Sequence, residues 1–184
     1  MNLDRIYVLA VLGVLLFPDQ SFAQSCDAHF SFDGDLSDSG VNGYGGQMIG
    51  KDGTLSKPQF AEGKIGQSLK LDGSSAMRAF VDLSYDGCPE ITFTAWIKVE
   101  STAAKGDQYL ISSGSGSGPG LRALGSTIIL RGSGNGLWHR EALRVGAGWA
   151  FAAGVYDYSN KTYRLHWRNR QMEGKLNVSH KPIV

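Results

Sequence analysis

The side chains that could perform catalysis are scattered along the chain. Glycoside hydrolysis requires two carboxyl groups about 5 to 10 Å apart, and nothing in the spacing of the acidic residues points to such a pair. The glutamates that stand alone in the sequence include Glu90, Glu100, Glu141 and Glu173. The histidines, which lack metal-ligand spacing, are His29, His139, His166 and His180. Since no nucleophile elbow is present either, we predict that the chain is not an enzyme.

Tryptophans offer a different chemistry, because sugar rings stack on them while neighbouring polar groups bind the sugar hydroxyls. In residues 91–99 the apolar side chains alternate along one face of a strand, and Trp96 lies on the other face. Trp138 lies in a loop-flanked segment, LWHRE, together with Arg140. We therefore name Trp96, Trp138 and Arg140 as candidate ligand-binding residues. The alternative is that each tryptophan packs in the core, the commoner fate of this residue in a small domain.

The amino-terminal segment has the pattern of a secretory signal. Residues 6–17 form an unbroken apolar run, which is shorter than the roughly 20 residues that a membrane-spanning helix needs. Arg5 precedes the run, and Ser21 and Ala23 place small residues at both positions that a signal peptidase reads. We predict a signal peptide over residues 1–23, a mature domain over residues 24–184, and a secreted, extracellular or periplasmic location. The alternative is an uncleaved anchor.

Two cysteines, Cys26 and Cys88, follow this leader. An even number of cysteines in an exported protein favours a disulfide. A bond between them would close a loop of about 60 residues and stabilise the fold by about 4 kcal/mol. The alternative is that Cys26 is a lipidated amino-terminal residue, but Ala23, Gln24 and Ser25 before it fit a lipoprotein signal poorly.

Composition and charge limit the classes of protein that this chain can belong to. The 184 residues suffice for one domain, and 42% hydrophobic with 19% charged residues indicate a folded chain. The net charge of +1 favours neither nucleic acid nor an anionic membrane surface as a partner. We therefore expect no nucleic-acid binding and no membrane insertion.

Short alternating runs indicate an all-β fold. Residues 91–99 show the clearest period of two. Further short strands are expected at residues 67–72, 127–131, 149–156 and 163–167. Turn-rich stretches lie between them at residues 38–46, 112–120 and 132–136. The pattern predicts an antiparallel two-sheet sandwich or jelly roll, with 112–120 as a hairpin loop.

Four segments occur in the order found in a known family: FSFDGDLSDSGVNG at 30–43, GKIGQSLKLDG at 63–73, ITFTAWIK at 91–98 and WAFAAGVYD at 149–157. In this respect the chain resembles the laminin-G-like, concanavalin A-like lectin-glucanase jelly-roll domains. The resemblance implies a jelly roll over residues 24–184. Because family members continue for several more strands, it also implies that the domain is incomplete at its carboxyl end, with an open sheet edge that a partner or the missing strands would cover. The alternative is that this chain closes its sandwich differently. Asn169 is followed by Arg170 where the family has a tight Asn-Gly turn, so we expect no such turn there.

The resemblance also implies a calcium site. Related domains bind Ca²⁺ with oxygen ligands from the early D-S-G-x-N-G loop, where Asp38 and Asn42 are the matching residues. The alternative is that Asp38 closes an Asx turn with the backbone of its own loop. Calcium prefers six to eight oxygen ligands, and the late acidic ligand of the family is absent from this chain.

Together these features predict a secreted recognition or adhesion module that binds carbohydrate, with a glycan or an extracellular protein as its partner. The alternative is a non-catalytic structural domain of a larger secreted or cell-surface protein. The identity of the ligand and the oligomeric state do not follow from the sequence.

Overall fold

The structure is a computed structural model that describes residues 6–10, 28–81, 83, 88–100, 107–112, 120–124, 127–131, 138–142 and 148–176. This part of the chain contains thirteen strands and no helix. The strands are β1 Ile6–Ala10, β2 Gly46–Gly50, β3 Phe60–Glu62, β4 Gln67–Leu71, β5 Ser75–Ala79, β6 Glu90–Val99, β7 Asp107–Ser112, β8 Gly120–Leu124, β9 Thr127–Arg131, β10 Trp138–Ala142, β11 Ala150–Asp157, β12 Thr162–Trp167 and β13 Arg170–Lys175.

These strands form antiparallel sheets, as the alternating pattern predicts. The largest sheet has the order β13-β12-β11-β6-β1-β4-β3, the second has the order β10-β9-β8-β7, and β2 pairs with β5. All five strands expected from the sequence are present, and the bounds of β9 coincide with the expected residues 127–131. The prediction of an all-β antiparallel sandwich is therefore confirmed.

The main core lies between the seven-stranded and the four-stranded sheets. On β6 the buried side chains alternate as expected, at Ile91, Ala95, Ile97 and Val99. Leu110 of β7 joins the same apolar cluster, which links the two sheets through side-chain packing. A side chain as fully buried as Ile97, at 1% exposure, contributes about 2 kcal/mol through its removal from water.

A second, smaller core forms around the first aromatic residues of the domain. Phe30 and Phe32 are buried, and their rings lie 6.2 Å apart in a stacked arrangement. Met48 of β2 and Leu69 of β4 complete this cluster. Both phenylalanine rings therefore point inward.

The strand β1 lies inside the segment that the sequence predicts to be a cleavable leader. It pairs antiparallel with β4 on one side and with β6 on the other, so that the Cα of Val8 faces both Leu69 and Ile97. Cleavage after Ala23, which stays a prediction, would remove the only strand that joins β4 to β6 in the described part of the sheet.

The hairpin between β12 and β13 differs from the expectation. A two-residue turn does form, but it consists of Arg168 and Asn169, one position before the Asn169-Arg170 pair considered in the sequence. Arg168 supplies the positive φ, +56°, that glycine would otherwise supply. Its guanidinium carbon lies 5.8 Å from the ring centroid of Trp167, a cation–π distance that helps to hold the turn.

Candidate functional site

An open cleft of about 570 Å³ lies where β2, the extended segment after it, and the β4–β5 turn meet. This volume falls within the range of small-molecule binding sites. The lining residues are Met48, Gly50, Lys51, Asp52, Ser56, Lys57, Gln59, Lys70, Asp72, Ser74 and Ser75. Apart from Met48 and Gly50, every one of them carries a hydrogen-bonding side chain.

The first wall of the cleft is a tight turn that follows β2. The Oδ1 atom of Asp52 accepts hydrogen bonds from the backbone N–H of Thr54 at 3.0 Å and from its hydroxyl at 2.7 Å. Gly53 between them has a φ of +81°, which disfavours other residues. These hydrogen bonds, the hydroxyl first, lower the pKa of Asp52, so the carboxylate is ionised at neutral pH.

The adjacent wall repeats the same turn between β4 and β5. The Oδ1 atom of Asp72 accepts from the backbone N–H of Ser74 at 2.9 Å and from its hydroxyl at 2.6 Å, around Gly73 with a φ of +77°. The hydrogen bonds from Ser74 lower the pKa of Asp72, and the positive charge of Lys70 adds a smaller effect in the same direction.

Backbone hydrogen bonds hold these walls together. The N–H of Lys51 donates to the carbonyl of Ser74 at 3.1 Å, which joins the two turns side by side. The N–H of Lys70 donates to the carbonyl of Gln59 at 2.8 Å, which fixes the extended segment against β4. The cleft is therefore built from three backbone segments that the fold already holds in place.

The cleft carries a positive formal charge. Lys51, Lys57 and Lys70 contribute three ammonium groups and the two aspartates contribute two carboxylates, so the sum is +1. Within the described ranges none of these lysines forms an ion pair. The hydroxyl of Ser56, another lining residue, is buried and finds no hydrogen-bond partner in the described structure.

The structure places Trp96 in a packed aromatic group. Its ring lies 5.4 Å from that of Phe151, its cross-strand neighbour on β11, and the Nζ of Lys64 lies 5.5 Å from its ring centroid. The indole is half-buried and packs against the smaller core. A sugar could stack on this ring face only after Lys64 moved aside, and the role of Trp96 in binding stays a prediction.

The register of the large sheet relates Trp96 to the cleft. Leu9 of β1 faces Trp96, and Tyr7 of β1 faces both Lys98 and Lys70. Since side chains two residues apart on a strand share a face, Trp96 and Lys70 lie on the same face of the seven-stranded sheet. The aromatic group and the cleft are thus two features of one surface.

The other predicted ligand-binding residues lie elsewhere in the fold. Trp138 and Arg140 belong to β10, at the edge of the four-stranded sheet, where their Cα atoms face Arg131 and Ile129. Their side chains lie outside the described residues. Among the described residues, β10 pairs with β9, and no contact places these two positions at the cleft.

The residues predicted to bind calcium organise a loop. The Oδ1 of Asp38 accepts backbone hydrogen bonds from His29 at 2.6 Å and Gly40 at 2.7 Å, and its Oδ2 accepts one from Tyr44 at 2.7 Å. Asn42 is exposed. The hydrogen bond from the N–H of Gly40, two positions after Asp38, forms the Asx turn named as the alternative, and calcium binding by Asp38 and Asn42 stays a prediction.

The structure describes only one of the two cysteines of the predicted disulfide. Cys88 is buried at the edge of the main core and is not a free cysteine. Cys26 lies outside the described residues, so the pairing of Cys26 with Cys88 stays a prediction. No helix in the described residues is long and apolar enough to cross a membrane.

The sequence contains a repeated turn pattern that indicates the cleft, although catalytic and aromatic motifs do not reveal it. Asp52-Gly53-Thr54 and Asp72-Gly73-Ser74 are two copies of one short turn pattern, with Lys51 and Lys70 close by. Each copy predicts a turn by itself. Only the antiparallel fold, in which the first turn meets the second, shows that they face a common space.

Comparisons with known proteins show the fold. No family model and no curated protein matches the chain. Among solved structures, the chain is similar to domain 4 of AbnA, a GH43 extracellular arabinanase from Geobacillus stearothermophilus, in complex with arabinotriose. The TM-score is 0.59 at 21% identity, and the match covers 82% of this chain and 75% of that chain. At this level of identity, the two proteins share a β-sandwich fold.

Proposed function

We propose that this chain is a secreted, non-catalytic carbohydrate-binding module of the laminin-G-like jelly-roll type, and that the cleft between the two Asp-Gly-Thr/Ser turns is its sugar site. The observation that carries the proposal is the density of hydrogen-bonding groups around a preformed space of about 570 Å³. Sugars present many hydroxyls, each of which needs a partner once it leaves water.

The lining groups include both donors and acceptors of hydrogen bonds for such hydroxyls. Hydroxyls of serines and the amide of Gln59 can both donate and accept, ammonium groups donate, and carboxylates accept. Asp52 is exposed, and its Oδ1 is already bound within its turn, so its Oδ2 remains available to accept a hydrogen bond from a ligand hydroxyl.

The solved neighbour supports the same class of ligand. Its structure holds arabinotriose on a fold of the same kind. The predicted leader and the predicted Cys26–Cys88 disulfide are consistent with an extracellular role.

A glycan array with the full chain tests the proposal. Gln59→Ala removes one exposed hydrogen-bonding group from the cleft, and we expect about fivefold weaker binding, equivalent to about 1 kcal/mol. Gln47→Ala is the matched control, because Gln47 is equally exposed on β2 but does not line the cleft. An array without specific hits would favour the structural-domain alternative. Hits that Gln59→Ala leaves unchanged would place the site elsewhere.

A further inference from the structure

We infer that the cleft selects acidic sugars, with Lys51, Lys57 and Lys70 binding a carboxylate or sulfate group of the glycan. This inference rests on the proposed function and names the chemical class of its ligand. It depends on three observations: the ammonium groups lack partners, the nearby carboxylates are engaged, and the backbone holds the positions of the lysines.

The first observation concerns the ammonium groups. In the part of the chain that the structure describes, Lys51, Lys57 and Lys70 form no ion pair. Lys98 shows the contrasting arrangement, with its Nζ 3.4 Å from an oxygen of Glu100. These three ammonium groups exceed the two carboxylates of the cleft by one charge, so an anionic group gains more here than a neutral one.

The second observation explains why the aspartates form no ion pair with these lysines. In both Asp52 and Asp72 the Oδ1 atom accepts two hydrogen bonds from the residue two positions later, which fixes each carboxylate within its own turn. Lys70 influences Asp72 only through space, as a minor contribution to its lowered pKa. The turns thus keep the carboxylates out of ion pairs with the lysines.

The third observation is the placement of the lysines on three backbone segments. Lys51 belongs to the turn after β2, Lys57 to the extended segment, and Lys70 to β4, and hydrogen bonds of 3.1 Å and 2.8 Å join these segments. Their α-carbons are therefore held in place before a ligand arrives, which reduces the ordering cost of binding. Each ammonium group can donate charge-assisted hydrogen bonds to an oxyanion.

Calorimetry on the full chain tests this inference with a matched set of sugars. The probes are a trisaccharide of galacturonic acid, the galactose trisaccharide with the same linkage, and that galactose trisaccharide carrying a sulfate ester. The variants are K51Q, K57Q and K70Q, which keep a polar side chain and remove the charge. K175Q is the control, since Lys175 is exposed on β13, at the opposite edge of the large sheet from β3. Circular dichroism confirms that each variant is folded.

We expect an acidic trisaccharide to bind at least about tenfold more tightly than the neutral one, with weaker binding at high salt. Each cleft variant should lose about tenfold in affinity for the acidic sugar, while K175Q should lose nothing. The uronate and sulfate arms then show which anion is preferred. Equal binding of the neutral sugar, or equal loss in K175Q, would overturn the inference and leave the proposed function standing. Binding of none of the three sugars would count against both.

Discussion

The phenolic hydroxyl of Tyr156 on β11 donates a hydrogen bond to the carbonyl of Gly120 on β8 at 3.2 Å, and it accepts one from the N–H of Gly120 at 3.3 Å. These two residues belong to different sheets, so the pair joins the two layers of the sandwich at a buried position. The ring also meets that of Phe93 on β6 in an edge-to-face arrangement at 5.9 Å. Tyr156 thus joins the two sheets through two hydrogen bonds inside an apolar core.

The burial of this tyrosine predicts a loss of stability at alkaline pH. Burial raises the pKa of Tyr156 well above its ordinary value of 10.0 and also raises the pKa of Tyr158. Since the unfolded chain ionises first, the stabilising effect is complete below about pH 10 and decreases as the pH rises towards the folded values. Urea unfolding at a series of pH values should show this decrease, and it should be smaller in Tyr156→Phe, which should also be about 1 kcal/mol less stable at neutral pH. Identical pH profiles for the two proteins would contradict the assignment.

The two cleft turns predict a loss of stability in acid. Hydrogen bonds from Thr54 and Ser74 lower the pKa values of Asp52 and Asp72 from the ordinary 3.8. Their contribution is therefore present above about pH 4 and is lost as the pH falls through the lowered folded values. The effect is modest because both groups are near solvent.

Asp72→Asn keeps an acceptor oxygen in the turn and removes the titration. We expect its unfolding free energy to fall less than that of the unaltered chain between about pH 5 and pH 2. The measurement is the urea midpoint at each pH. A steeper acid dependence in the variant would show that Asp72 does not stabilise the turn through its ionised form.

The three backbone contacts of Asp38 predict a structural role for this residue. Asp38→Ala leaves the N–H groups of His29, Gly40 and Tyr44 without their acceptor. We expect a loss of about 1 to 3 kcal/mol in unfolding free energy, equal in calcium and in a chelator. Ser37→Ala is a neighbouring exposed control. A loss that occurred only in calcium would assign Asp38 to a calcium site after all.

The pairing of β1 predicts that the leader segment stabilises the uncleaved chain. Without residues 1–23, β4 and β6 lose the strand between them. We expect chain 24–184 to have a lower thermal midpoint than chain 1–184 when both are oxidised, because backbone groups on two strand edges lose their partners. An unchanged or higher midpoint would show that β1 is dispensable to the sheet.

The sequence predicts the strands of this protein well because their signal is local. The alternation of apolar and polar residues around Trp96 in β6 is visible in consecutive residues. The β-branched run of β9 likewise predicts a strand from its own five residues. The pairing of β1 between β4 and β6 could not be predicted in this way, because the same apolar residues satisfy the pattern of a leader.

The cleft escaped prediction for a related reason. Each of its turns, at Asp52 and at Asp72, can be predicted from the local sequence. The contact between the two turns depends on the path of the chain from β2 to β5. The candidates for a sugar site in the sequence were the large aromatic side chains instead. Trp96 lies on the same face of the sheet as the cleft residue Lys70, but it does not line the cleft.

The most direct test of the central claim is to map binding residue by residue with backbone amide chemical shifts. The full chain is titrated with the best ligand from the glycan array. We predict that the largest shifts fall on residues 50–59 and 70–75, which surround the cleft, and that Gln59→Ala diminishes them. Shifts confined to β9 and β10, or to no part of the chain, would contradict a sugar site between the two turns.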